Sequence, residues 1–241
     1  MGESLVAAEA IDRDGFAVLR GVYDEYELDR LTEILTSALQ REMGEAVRRS
    51  EEGHVFAARN LLQIWPDSRV CWRRPRILAA LADVLGAHFG LVRGLFFDKP
   101  PGRTWSLPWH KDVTIAVRDN SIVGLHFSKP THKCGVPHIE APIIVLNQML
   151  TLRIHLDPAT KENGALVVIP GSHNQGKTMR DEQAAVTVEA NRGDVLLIRP
   201  LVSHCSASSD PATTLHRRII HVEFAAERQL PNGYEWFIFE R

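Results

Sequence analysis

The chain has 241 residues, 44% hydrophobic and 24% charged, with a formal net charge of −2 at pH 7. That is long enough to bury a sizeable core and, although large for one domain, is a normal size for a β-barrel enzyme. The near balance of charge gives no electrostatic reason to expect nucleic acid or an acidic membrane as a partner, and no apolar run reaches the ~18 residues that a spanning helix needs.

Taken in chain order, Gly15 to Gly21 reads as an opening strand. Asp24, with Glu27 three residues later, forms the pattern of a capping box at a helix start. Leu28, Leu31, Leu35, Ala38 and Leu39 then keep helical spacing and give that helix one apolar face. A second helix is predicted from Pro75, carrying Ile77, Leu78, Leu81, Val84 and Leu85 and stopping at Gly86. After that the period changes. Val92 to Phe97, Leu146 to Leu156, Ala165 to Ile169, Val195 to Ile198 and Ile219 to Phe224 read as strands separated by Gly, Pro and Asn turns. Late strands behind early helices predict a mainly β protein, an antiparallel double-stranded β-helix (a jelly-roll, cupin-like barrel) with flanking helices. We expect a single domain over 1–241, with a helix-rich support at 1–90, a β-barrel core at 91–225 and a C-terminal tail at 226–241. There is no repeat and no low-complexity segment. Cys71, Cys134 and Cys205 are scattered and odd in number, so they make no disulfide framework. With no signal pattern at the N-terminus, a cytoplasmic protein with reduced thiols is expected.

The chemistry concentrates in Trp109-His110-Lys111-Asp112 and, far downstream, His204 and Arg217. Along an extended chain residues i and i+2 point to the same side, so His110 and Asp112 can bind one ion while Lys111 points away. With His204 they make up a two-histidine, one-carboxylate set, which leaves one face of Fe(II) open for a co-substrate and O2. Zn(II) accepts the same donors and is the competing ion. A basic residue downstream can pair with a carboxylate on whatever chelates the metal.

An isolated His-x-Asp is a weak signal, and its surroundings strengthen it. Asn163 to His173 reads as turn, buried strand and second turn. Gly193 to Pro200 leads into Ser203-His204-Cys205-Ser206, and Arg217 to Phe224 closes the set. In this order the four motifs resemble the phytanoyl-CoA dioxygenase family of Fe(II)/2-oxoglutarate oxygenases, over most of the chain from Asp12 to Phe224. The resemblance implies that His110, Asp112 and His204 hold Fe(II) and that 2-oxoglutarate and O2 are co-substrates. It further implies hydroxylation of a small-molecule C–H bond, with succinate and CO2 released. Related iron halogenases replace the carboxylate with a small residue; Asp112 is present here, which favours hydroxylation.

The far carboxylate of 2-oxoglutarate calls for a planar bidentate donor, which arginine supplies. Arg217 and Arg218 are adjacent on a strand, so only one can face the interior, and counting back from Phe224 in the family pattern selects Arg217. Ser206 lies where the family often hydrogen-bonds the same carboxylate. Lys99 falls near a position that contacts the co-substrate. Arg153 stands where many relatives carry an aromatic or small polar residue facing 2-oxoglutarate, a departure from the family pattern.

Substrate recognition is less legible. The stretch 119–142, rich in Gly and Pro, reads as a long loop over the barrel mouth, a place that commonly carries specificity. Within it His132 and Lys133 could meet an anionic substrate or form a solvated loop tip, and the spacing of His126, His132, Cys134 and His138 matches no standard zinc pattern. Trp105, Trp109 and Trp236 could line a pocket or pack in the core. No glycine loop or dense basic cluster suggests a CoA site. The other class kept open is a cupin-like metalloenzyme, an isomerase or hydrolase, that would keep the triad without using 2-oxoglutarate.

Overall fold

In the computed structural model, which describes residues 2–102, 105–179 and 184–241, the chain opens with helix α1 (Gly2–Asp14). Sequence spacing did not predict this helix, because it buries only Ala7 and Ile11 and so carries no continuous apolar stripe. Strand β1 (Phe16–Leu19) follows. Helix α2 (Glu25–Arg41) starts as expected: the Glu27 N–H donates to the Asp24 side chain and the Glu27 carboxylate accepts from the Asp24 N–H. Two short strands, β2 (Val47–Arg49) and β3 (Val55–Ala58), and a single helical turn, α3 (Leu61–Ile64), lead to α4 (Pro75–Leu85). Proline at its start and Gly86 (φ +83°) after its end fix the bounds of α4.

The remaining strands are β4 (Gly90–Phe97), β5 (Leu107–His110), β6 (Thr114–Ala116), β7 (Ser128–Lys133), β8 (Val136–Glu140), β9 (Met149–His155), β10 (Leu166–Val168), β11 (Val186–Val188), β12 (Val195–Ile198), β13 (His204–Ser206) and β14 (Ile219–Ala225). Two expectations need correction. The strand predicted from Leu146 begins only at Met149, because Pro142 opens a short helical turn, α5 (Ile143–Leu146). The stretch 119–142 is not an open loop: it holds the β7–β8 hairpin, which pairs with β6 into a three-stranded sheet.

The architecture is the expected jelly-roll. A seven-stranded sheet in the order β1-β12-β9-β14-β4-β3-β2 faces a four-stranded sheet in the order β11-β10-β13-β5, and every pairing is antiparallel. The two-residue period of the central strands decides what lies on each side. In β14, Ile220, Val222 and Phe224 point outward into the main core with Leu152 and Ile154 of β9, under Leu28 and Leu35 of α2 and Ile77 and Leu81 of α4. The alternate residues, Ile219, His221 and Glu223, turn inward and line a cavity between the sheets with Thr151 and Arg153 of β9. The helices thus cover one face of the large sheet and leave its other face free to build a site. No helix among the described residues is long and apolar enough to cross a membrane.

Candidate metal centre and co-substrate pocket

The two histidines stand opposite each other on neighbouring strands: His110 at the end of β5 pairs with His204 at the start of β13. Their rings lie 4.2 Å apart between centroids. Each is oriented by its own backbone, His110 Nδ1 donating to Pro108 O at 2.7 Å and His204 Nδ1 to Val202 O at 2.9 Å. That places the proton on Nδ1 and leaves the Nε2 lone pair available in both rings. Asp112 sits just beyond β5, fixed by its N–H donating to Pro200 O at 2.9 Å. Its carboxylate lies 3.7 Å from His110 Nε2 and 3.6 Å from His204 Nε2. All three ligand atoms fall within 4.8 Å of one another, and no other such group occurs among the described residues. Donors ~2.1 Å from an ion and at right angles are ~3 Å apart, so the set closes around a metal with side-chain shifts of about an ångström. The four residues His126, His132, Cys134 and His138 form no second group.

The charge balance prepares the same state. Enclosure acts to raise the Asp112 carboxyl, but the positive field around it, with the Arg153 guanidinium at 3.9 Å, outweighs this and holds it well below the usual carboxylate range. Burial lowers His204 and keeps its imidazole neutral.

Lys111 points away from the centre, as its spacing requires. It is buried, and its Nζ donates to Ser172 O and Gly176 O, each at 2.7 Å. Burial pushes its pKa down to about 8. Ser172 also accepts the Ser203 N–H on its hydroxyl at 2.8 Å. One serine in the Pro170-Gly171-Ser172-His173 turn therefore ties together the two segments that carry the donors.

The candidate anchor residues separate cleanly. Arg217 is 3% exposed, lines the cavity, and leaves its Nε with no partner among the described residues. Burial, with Arg153 adding to it, pushes its pKa down to about 9. Arg218 points the opposite way and makes a bidentate pair with Asp157, both contacts at 2.7 Å. Ser206 lines the cavity beside Arg217. Lys99 is one layer further back: fully buried, it donates through Nζ to Ser206 Oγ at 3.2 Å and to Ala207 O. Its backbone pairs with that of Arg217 in both directions, extending the β4–β14 ladder. Burial and Arg217 push the Lys99 pKa down to about 7. Trp105 lies over the Lys99 ammonium at 4.8 Å, whereas Trp236 is core, donating to Glu227 O.

Arg153 reaches from β9 across to the donors, with Nη2 3.4 Å from His204 Nε2 and 3.9 Å from Asp112. His221 flanks it on β14 and contacts Glu223 at 3.3 Å. Sequence reasoning passed over Arg59, Arg93, His221 and Glu223, all of which line the same cavity of about 420 Å³. The alternation Ile-His-Val-Glu-Phe over 220–224 was the available signal, since a strand buried on both faces places a polar residue inward only where something polar meets it.

The model of the family described as phytanoyl-CoA dioxygenase matches residues 11–219. The chain belongs to the phytanoyl-CoA dioxygenase family. It is thereby one of the Fe(II)/2-oxoglutarate-dependent oxygenases to which the ordered motifs pointed. No curated protein matches the chain. Among solved structures, AviO1 from Streptomyces viridochromogenes Tue57 is 24% identical, with a TM-score of 0.67 over 96% of this chain and 99% of that one. EctD from S. alaskensis, solved with 2-oxoglutarate and 5-hydroxyectoine, is 19% identical, with a TM-score of 0.66 over 90% of this chain and 74% of that one. The α-ketoglutarate-dependent epimerase SnoN from nogalamycin biosynthesis is 18% identical, with a TM-score of 0.66 over 92% of this chain and 80% of that one. At these identities the likeness is one of fold, and it spans proteins described by activities as different as an epimerase and a carbocyclase.

Proposed function

We propose that the protein is an Fe(II)- and 2-oxoglutarate-dependent oxygenase that hydroxylates a C–H bond of a small molecule, releasing succinate and CO2. The observation that carries this reading is the convergence of His110 Nε2 and His204 Nε2 on the Asp112 carboxylate, with both Nδ1 atoms held by backbone carbonyls. Tetrahedral zinc sites of hydrolases are built from similar donors. A buried guanidinium whose Nε has no partner among the described residues is not needed there, but it suits a dicarboxylic co-substrate.

In this reading His110, Asp112 and His204 would hold Fe(II) at the wall of the cavity. A bound iron and 2-oxoglutarate supply the oxidation of an unactivated C–H bond by O2. Arg217 takes the far carboxylate of 2-oxoglutarate, assisted by the Ser206 hydroxyl, which Lys99 orients from behind. Arg153 meets the charge at the near end. The apolar walls, including Leu95, Phe97 and Ile219, exclude water from the reacting atoms. A space of about 420 Å³ is at the small end of ligand pockets, which favours a compact substrate over a coenzyme A thioester held within it.

The test is anaerobic titration of the metal-free protein with Fe(II) and then 2-oxoglutarate, followed by the visible metal-to-ligand charge-transfer band. A band in the wild type that vanishes in His110→Ala and needs far more 2-oxoglutarate in Arg217→Met supports the proposal. Iron binding with no band at any 2-oxoglutarate concentration overturns it in favour of a cupin-like metalloenzyme that does not use this co-substrate.

A further inference from the structure

The cavity has a second charged end that the co-substrate does not reach. Along the inward face of β14 and its extension run Arg217, Ile219, His221 and Glu223, and the facing positions of β4 run Lys99, Phe97, Leu95 and Arg93. Arg217 and Glu223 are six residues apart, or ~20 Å of extended chain. Lys99 and Arg217 therefore close one end, and Arg93 and Glu223 stand at the other, 3.1 Å apart as an ion pair. Arg59, just past β3, and Lys133, the last residue of β7, line the cavity at this second end. Neither is in an ion pair or a side-chain hydrogen bond among the described residues. Three cations share one carboxylate.

These charges are brought together by the fold and held there. Lys133 precedes the turn Cys134–Gly135, whose φ angles of +51° and +77° make a two-residue hairpin turn. The Asn60 amide, next to Arg59 in the chain, donates to Cys134 O at 3.0 Å. The hairpin tip is thus clamped beside Arg59. Burial lowers both Arg59 and Lys133, and Arg93 adds to it in each case. Mutually repelling cations in a half-buried wall, with an excess of two charges over Glu223, are costly unless something anionic enters. Lys133 also lies within electrostatic reach of Asp112, so that group would sit close to the metal centre.

We propose that Arg59, Arg93 and Lys133 form the substrate-recognition end of the cavity, and that the substrate is a small acid. Its carboxylate or phosphate docks there, while its carbon skeleton lies along Leu95, Ile115 and Met149 towards Asp112. This rests on the oxygenase reading for the chemistry but not for the binding, because none of the three residues touches the metal donors or Arg217. Glu223 sets the strength of the site: paired with Arg93 and His221, it offsets one of the positive charges.

The test uses hexanoate, hexyl phosphate and hexan-1-ol as probes in calorimetric titrations. Each is run against the metal-free protein and again, anaerobically, against the protein with Fe(II) and 2-oxoglutarate. The acids bind and the alcohol does not. Arg59→Gln and Lys133→Gln each weaken acid binding about tenfold, as expected for loss of one charge-assisted contact. Glu223→Gln strengthens it, a change of sign that misfolding does not produce. Whichever of the two acids binds more tightly assigns the head group. The proposal is overturned if the acids bind no better than hexan-1-ol, or if both Gln variants keep wild-type affinity because the acids bind at Arg217. Direct titration with 2-oxoglutarate reports separately on the co-substrate. If 2-oxoglutarate fails to bind while the acids behave as stated, the anion site stands and the oxygenase reading falls.

Discussion

Arg153 Nη2 lies 3.4 Å from His204 Nε2, so a guanidinium stands against a donor atom that the metal requires. Among the described residues its one ion-pair partner is Asp112, at 3.9 Å. A divalent ion bound to that carboxylate takes the partner away and repels Arg153 across a few ångströms. An anion arriving with the metal restores the balance. Metal and 2-oxoglutarate should therefore bind cooperatively, with Arg153 as the cause. In Arg153→Met, Fe(II) affinity measured alone rises, 2-oxoglutarate affinity falls by about tenfold or more, and the cooperativity between them shrinks. Paired titrations of Fe(II) with and without 2-oxoglutarate read all three. Equal cooperativity in wild type and variant would remove Arg153 from this role.

Arg217 and Arg218 differ in what they have already bonded. Arg218 is committed to Asp157 by two contacts at 2.7 Å, while Arg217 is buried with an unpartnered Nε. The two substitutions should separate binding from stability. Arg217→Met leaves the melting temperature unchanged or higher, since it removes an uncompensated buried charge, and weakens 2-oxoglutarate binding at least about a hundredfold. Arg218→Ala keeps 2-oxoglutarate binding and lowers stability by about 1–3 kcal/mol through the stranded Asp157. Thermal melts and co-substrate titrations on the same two proteins decide it, and a reversed pattern would exchange the two assignments.

The elements that sequence made legible are those whose signals are local. The Asp24–Glu27 box, the Pro75 start and Gly86 stop of α4, and the short apolar runs of β12 and β14 each depend on neighbouring residues alone. The candidate metal donors were legible because the His-x-Asp spacing and the ordered motifs confine them to two segments. Ser172, which bridges those segments, was visible only as a turn residue, since its partners Lys111 and Ser203 lie far off in sequence. The cation end of the cavity was hidden for the same reason. Lys133 read equally well as a solvated loop residue, and only the pairing of Asn60 with Cys134 O reveals which side it faces. The β7–β8 hairpin was missed because its strand Ser-Lys-Pro-Thr-His-Lys is almost wholly exposed and has no apolar alternation to betray it.

On the proposed assignment of the co-substrate to Arg217 and Ser206, Lys99 links its binding to protons. Its pKa of about 7 in the ligand-free protein means that near neutrality the amine is partly neutral. A dicarboxylate at Arg217 offsets the charge that helps depress it, so binding raises the Lys99 pKa. At pH 8, 2-oxoglutarate binding should take up a fraction of a proton, and at pH 6 close to none. The stability sign is the reverse of a salt-bridged lysine. The burial cost is fully present below pH ~7 and relieved as pH rises from there towards the unfolded value of ~10.4. Calorimetry of 2-oxoglutarate binding in buffers of different ionisation enthalpy counts the protons. Lys99→Met should abolish the uptake, and an uptake that persists in that variant would place the titrating group elsewhere.

Gly164 controls the same pocket from behind. It adopts φ +71°, and a Cβ there would lie 2.5 Å from Ala207 O and 2.9 Å from Lys99 Nζ. Ala207 O is also the acceptor that holds Lys99 in place. Backbone cannot retreat as a side-chain tip can, so Gly164→Ala combines a strained conformation with a collision. It should cost about 1–3 kcal/mol of stability. Because the displaced atoms are those that orient Ser206, the variant should also weaken 2-oxoglutarate binding more than Fe(II) binding. A chemical denaturation curve gives the first quantity and the charge-transfer titration gives the second. Full stability together with wild-type 2-oxoglutarate affinity would show that the Asn163–Gly164 turn does not set the back of the co-substrate pocket.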